Sequence, residues 1–165
     1  MNNFNRFHDM FVGIDPGSKG AIAILDSTGN PVLLEDMPFV KEDKCLDLLK
    51  LKSFFNDFSN SRIHCVLEKC QYTPAIKGSG AFTFGKTIGY TEAFLICNQI
   101  SHELIRPQIW KKEFGLINKE KTSSIEVAKR MFPTVSDRLK KTKDGLAEAL
   151  LIAEYCRRKC CSKNG

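Results

Sequence analysis

Four acids in this 165-residue chain occupy positions where a carboxylate is hard to explain as surface solvation. Asp15 closes the apolar run 11–15, Glu68 closes the apolar run 63–67, and Asp144 and Glu148 lie four residues apart on one face of a helix. Strand ends that feed loops are where functional side chains are commonly mounted. From Gly145 to Ala153 only Glu148 is polar, so this helix must be buried nearly all round and takes a carboxylate in with it. Lys140 and Lys141 are within reach of Asp144, but the neighbours of Glu148 one turn away are Asp144 and Ile152, and neither is a base. An unpaired buried carboxylate costs several kcal/mol or shifts its pKa. If the acids converge, two charges about 4 Å apart repel by about 4 kcal/mol at an effective dielectric near 20, so a cation must compensate. An all-oxygen ligand set without His or Cys favours a hard ion, magnesium or manganese, over zinc. Taken singly, Asp15 also reads as a turn former before Pro16-Gly17, Glu68 as a strand end beside Lys69, and Asp144 as an acid at a helix N-terminus.

The elements that must position these acids follow from patterning. Residues 11–15, 21–25 and 31–37 alternate with the turn clusters Pro16-Gly17-Ser18-Lys19-Gly20 and Ser27-Thr28-Gly29-Asn30, which predicts three consecutive antiparallel strands. Leu46, Leu49, Phe54 and Phe58 sit near helical spacing and predict a helix before a buried fourth strand over 62–68. A polar loop over 71–80 leads to a helix over 81–98, then a short strand over 103–106. Helices over 108–114, 119–131 and 143–160 complete the chain. There is no internal repeat, low-complexity tract or linker. The expected fold is one α/β domain spanning 1–165, with its core at about 10–160 and a mixed five-stranded sheet flanked by helices.

Composition narrows the function classes. At 42% hydrophobic and 27% charged residues the chain can build an ordinary core. No apolar stretch approaches a membrane span, and residues 1–10 lack the apolar centre of a signal peptide. Seven cysteines without C-x-x-C or framework spacing read as reduced thiols of a cytoplasmic protein. Charge is unevenly divided: residues 1–105 hold 10 Lys/Arg against 12 Asp/Glu, whereas residues 106–165 hold 15 against 7. A basic surplus confined to the last third is the electrostatic footprint expected of a nucleic-acid binder, and equally of a solvated basic face.

The sequences G-I-D-P-G-S-K-G-A-I-A-I-L, V-L-E-K-C-Q, R-P-Q-I-W-K-K-E-F-G-L with a following K-E-K, and K-D-G-L-A-E-A-L-L-I-A together resemble the RuvC-like Holliday junction resolvases, most closely their compact phage and bacterial branch. The resemblance runs over about residues 10–155. The order of acids, one on the first strand, one on the fourth and two on the last helix, is similar to that of the RNase H-like nuclease superfamily. It implies that Asp15, Glu68, Asp144 and Glu148 are catalytic ligands of two magnesium or manganese ions. It also implies paired hydrolysis of a branched DNA junction by a homodimer, leaving 5′-phosphate and 3′-hydroxyl ends. Many family members place aspartates three apart at the helix end, where this chain has Asp144 and Glu148 four apart; both spacings face one side of a helix.

Around that cluster, Lys119 and Lys121 at a helix start are candidates to offset a phosphate or grip the backbone, or else a solvated helix start. The loop after Glu68 offers Tyr72 for stacking and Lys77 for phosphate contact. Phe82 and Phe84 read more readily as core, as does Trp110, which otherwise lies against DNA with Lys111 and Lys112. Residues 80–87 match the phosphate-loop pattern G-x-x-x-x-G-K-[ST], but no strand directly precedes them and their interior is bulky. That segment reads better as a helix in which Gly85 and Gly89 allow close packing and Lys86 reaches a phosphate. The alternatives are an RNase H-type nuclease on RNA–DNA hybrids, a P-loop nucleotide hydrolase, and a basic nucleic-acid-binding module without catalysis.

Overall fold

A computed structural model describes residues 8–69, 78–140 and 144–162. Its main sheet contains β1 (Asp9–Asp15), β2 (Ala21–Leu25), β3 (Pro31–Asp36), β6 (Arg62–Glu68) and β7 (His102–Ile105) in the order β3-β2-β1-β6-β7. β1 pairs antiparallel with β2, and β2 antiparallel with β3, whereas β1–β6 and β6–β7 are parallel. A small antiparallel pair, β4 (Phe39–Val40) and β5 (Cys45–Leu46), follows β3. The helices are α1 (Leu48–Ser53), α2 (Ser79–Cys97), α3 (Pro107–Glu113), α4 (Lys121–Met131) and α5 (Asp144–Cys161). Short 3₁₀ turns occupy Asn56–Phe58 and Pro133–Arg138.

Period-two alternation sends the central strands into two cores. Phe11, Ala21, Ala23 and Leu25 pack with α4 and α5 on one face, while Val12, Ile14, Ile22 and Ile24 pack with Leu51, Phe54, Phe94 and Leu95 on the other. Both faces are covered, so β2 is apolar at every position. On the α5 face of β1 and β2, Gly13, Ala21 and Ala23 are small, which lets that helix approach closely. At Gly13 the approach reaches its limit, since an added Cβ would overlap the backbone of Ala149 and Ala153. Gly145 does the same at the start of α5, where a Cβ would overlap the Lys19 carbonyl in the β1–β2 turn. These two contacts fix where Asp144 and Glu148 emerge relative to Asp15.

The region before β6 departs from the expected helix. Leu46 belongs to β5, and α1 is only six residues long, started by Asp47, whose carboxylate accepts a hydrogen bond from Lys50 N at 2.9 Å. Leu49, counted among the apolar positions, is 82% exposed, and Leu51 is the buried leucine. The spacing misled because the phenylalanines lie beyond the end of α1, where their chain positions no longer obey its period. Gly85 and Gly89 also differ from expectation: nothing lies within 4 Å of a Cβ placed on either, and Phe82 is 72% exposed rather than core. The outer side of α2 is therefore unpacked among the described residues. The six described cysteines are free thiols, and no described helix is long and apolar enough to cross a membrane.

Candidate active site

β1 and β6 run parallel in the register Ile14↔Leu67, so Asp15 and Glu68, each the last residue of its strand, leave the sheet side by side. The first two turns of α5 close over the same end and bring Asp144 and Glu148. The electrostatic signature of this meeting is at Asp15, whose pKa is pushed up to about 8 by burial and then by the charges of Glu68, Glu148 and Asp144, with Lys111 pulling the other way. Burial likewise raises Glu68; a hydrogen bond from Trp110 lowers it, Glu148 raises it and Lys111 lowers it.

Three of the four acids are held by partners from α3 and α4. Trp110 Nε1–H donates to Glu68 Oε2 at 2.6 Å, Lys111 Nζ lies 3.0 Å from Glu148 Oε1, and Lys121 Nζ lies 3.5 Å from Asp144 Oδ2. Ser124 Oγ adds a long contact of 3.5 Å to Glu148 Oε1. Glu148 is thus not left without a cation, as its own helix suggested; its base comes from α3. Trp110 is fully buried, with Lys111 Nζ 5.1 Å from its ring centroid, so it is a core anchor that orients Glu68 and is not available to lie against DNA. The R-P-Q-I-W-K-K segment contained both partners, but their target acids are 42 and 37 residues away in sequence, and only the placement of α3 after β7 brings them together.

The oxygen-only donor set fits a hard divalent cation, and the charges of Glu68, Glu148 and Asp144 that add to burial in raising Asp15 are ones such an ion would offset. As arranged, no three Asp, Glu, His or Cys groups among the described residues converge on one ion position. Trp110, Lys111 and Lys121 each hold one of the carboxylates instead.

Lys111, Lys119 and Lys121 line one cavity of about 300 Å³ beside the acids, together with Gln108, Asn118 and Ser124. Lys112 is exposed on α3. Lys86 lies elsewhere, on α2, with its Nζ 3.5 Å from the Asp43 carbonyl and 5.9 Å from the Tyr90 ring centroid. Tyr72 and Lys77 lie outside the described residues. The phosphate-loop match at residues 80–87 falls wholly within α2 and does not follow a strand directly, so it is a helix and not the strand-to-helix loop that wraps a nucleotide phosphate. That rules out the P-loop hydrolase.

No family model and no curated protein sequence matches this chain. Solved structures do. One described as "T. thermophilus RuvC in complex with Holliday junction substrate" is 14% identical with a TM-score of 0.60, covering 96% of this chain and 97% of that chain. A second, "Thermus thermophilus RuvC structure", is 12% identical with a TM-score of 0.63, covering 94% of this chain and 96% of that chain. Such identities speak to architecture, and over nearly its whole length this chain has the RuvC-like fold.

Proposed function

We propose that this protein is a metal-dependent, structure-selective DNA endonuclease that resolves four-way junctions by paired phosphodiester hydrolysis. The observation that carries the reading is the meeting of Asp15, Glu68, Asp144 and Glu148 at one end of β1, β6 and α5, where burial first and then the charges of the other three push Asp15 to about 8. A carboxylate cluster repels DNA and serves no purpose in a binding module without a cation. Support for the substrate comes from the fold shared with a RuvC seen on a Holliday junction substrate.

Asp15, Glu68, Asp144 and Glu148 would hold two magnesium or manganese ions. When bound, such ions supply water activation and leaving-group stabilisation for in-line attack, giving 5′-phosphate and 3′-hydroxyl ends. The residues of the chain do the rest. Trp110 fixes the Glu68 rotamer, while Lys111 and Lys121 neutralise Glu148 and Asp144 and stand ready to meet the scissile phosphate once the carboxylates turn away. Lys112 and Lys119 extend the basic surface. Two cuts on a two-fold symmetric junction call for a symmetric homodimer, and the outward side of α2, with Phe82, Gly85, Gly89 and Ile96 exposed, is an apolar surface suited to a second copy.

The test is a panel of labelled four-way junction, linear duplex, single strand and RNA–DNA hybrid, each with magnesium or with chelator. Symmetric nicking of the junction alone, only with magnesium, is expected; Asp15→Asn and Asp144→Asn should reduce it to background while leaving junction binding intact or tighter. Cleavage of the hybrid instead would replace this reading with an RNase H-type activity.

A further inference from the structure

Besides the basic cavity on the α3–α4 side, a second groove runs from Asp144, alone of the four acids, toward the β3 edge of the sheet. Its near part, about 390 Å³, is lined by Asp144 and Asp36, by Ser18 and Lys19 of the β1–β2 turn, and by Phe39 and Lys41. Its far part, about 460 Å³, shares Ser18, Phe39 and Lys41 and continues past Lys44 to Ser79 and Thr83 on the first turns of α2. The shared residues make the two parts one channel that starts at the candidate site and ends under the β4–β5 hairpin.

The chemistry changes along it. The near part holds two carboxylates and two lysines, whereas the far part holds Lys41 and Lys44 with hydroxyls and aromatic edges and no carboxylate. The hairpin tip reads Lys41-Glu42-Asp43-Lys44, neutral in sum, but only the two lysines line the channel. Lys44 sits at φ 47°, a left-handed conformation, and both lysines line the far part. Among the described residues neither makes an ion pair, in contrast to Lys111 and Lys121. Two exposed, unpaired ammonium groups above a trough of hydroxyl donors, opening onto the carboxylates, form a track for a polyanion with repeating phosphates.

Resting on the nuclease reading, we propose that this channel carries the DNA backbone on the side of the cut away from Lys119 and Lys121, with Lys41 and Lys44 of the β4–β5 hairpin as its phosphate contacts. The scissile strand then crosses the acids with a basic grip on each flank.

The double variant Lys41→Gln/Lys44→Gln tests this by junction binding in magnesium-free buffer as salt is varied. Each phosphate contact contributes about 0.9 to the slope of log affinity against log salt, so losing two flattens it by about 1.8. Between 50 and 200 mM salt the wild type should then lose about 12-fold more affinity than the variant. Both lysines are exposed and unpaired, so melting should not change, which separates the effect from misfolding. Neutral methylphosphonates on the channel side of the cut should weaken wild-type protein and a Lys119→Gln/Lys121→Gln variant alike, yet leave the hairpin variant indifferent. An unchanged slope and an unchanged methylphosphonate response in the hairpin variant overturn the channel while wild-type junction nicking keeps the nuclease reading. Absence of nicking by the wild type with magnesium sinks the nuclease reading, while the slope on whatever DNA is bound still decides the channel; no DNA binding at all sinks both.

Discussion

Glu154 of α5 and Asp15 of β1 are two carboxyls whose burial acts to raise the pKa, and they are compensated in opposite ways. Glu154, whose side chain is 5% exposed, receives Arg157 Nε at 2.8 Å, Arg157 Nη2 at 3.0 Å and Arg158 Nε at 2.8 Å. Burial acts to raise its pKa, but the hydrogen bonds and charges of the two arginines outweigh it and hold the group below the usual range. At the end of β1 burial acts in the same direction on Asp15, three acids add to it, and Lys111 opposes, so that carboxyl goes up to about 8. A guanidinium fork locks a carboxylate in place, whereas an ammonium on a flexible stem is a point charge that can let go. Burial alone therefore does not mark a chemical carboxylate. The kind of partner separates the two places: arginines on the same helix hold Glu154, whereas lysines from other helices face Glu148 and Asp144.

The sharpest way to break this contrast is at Glu154. Glu154→Gln leaves two guanidiniums facing a neutral amide and should destabilise the fold by about 2–3 kcal/mol, read as a fall in melting temperature with or without magnesium. Junction nicking per folded molecule should be unchanged. A loss of nicking with normal melting would place Glu154 among the functional acids and erase the distinction.

The same contrast shows what the sequence could and could not tell. Strands β1, β2, β3 and β6 were legible as short apolar runs bounded by turn clusters or loops, and α5 was legible because only a buried helix is apolar nearly all round. The spacing of Glu154 to Arg157 and Arg158 at i+3 and i+4 also stood in the sequence, yet Glu148 drew attention as the buried acid because it interrupts the apolar run. What sequence could not supply was contact made by topology. The bond from Trp110 to Glu68 depends on where α3 follows β7, and the lysine pairs of Glu148 and Asp144 depend on α3 and α4 packing at the sheet's end. The β4–β5 hairpin was hidden because its strands are two residues each, too short to show a period.

A second, smaller effect should appear at Asp15 in chelator. An acid whose pKa is near 4 unfolded and about 8 folded keeps its proton in the native state while the unfolded chain has lost it. Stability must then fall as pH rises from about 4 to about 8, and level off above. Asp15→Asn removes the titration, so the variant should lack that decline and at pH 8 be more stable than wild type by at least about 1 kcal/mol. Thermal melts across pH with chelator read this directly. A variant less stable than wild type at pH 8 would mean that Asp15 is a structural acid like Glu154.

The smallest effect lies at the other end of β1, where Asp9 repeats the structural pattern in the open. A hydrogen bond from Arg62 lowers its carboxyl to about 2; burial opposes, and His64 and the Arg62 charge add to the lowering. The folded pKa lies below the unfolded one, so the contribution is present above about pH 4 and is lost as pH falls toward 2, opposite in sign to Asp15. The Arg62 side chain is 64% exposed, so solvent and salt screen the pair. Asp9→Asn should therefore shift melting at pH 7 by less than either change above, and the shift should shrink further in 1 M salt, while the Glu154→Gln penalty, set in a dry environment, should persist. Equal salt sensitivity of the two would show that burial does not separate them, and that the protection of Glu154 comes from its two arginines alone.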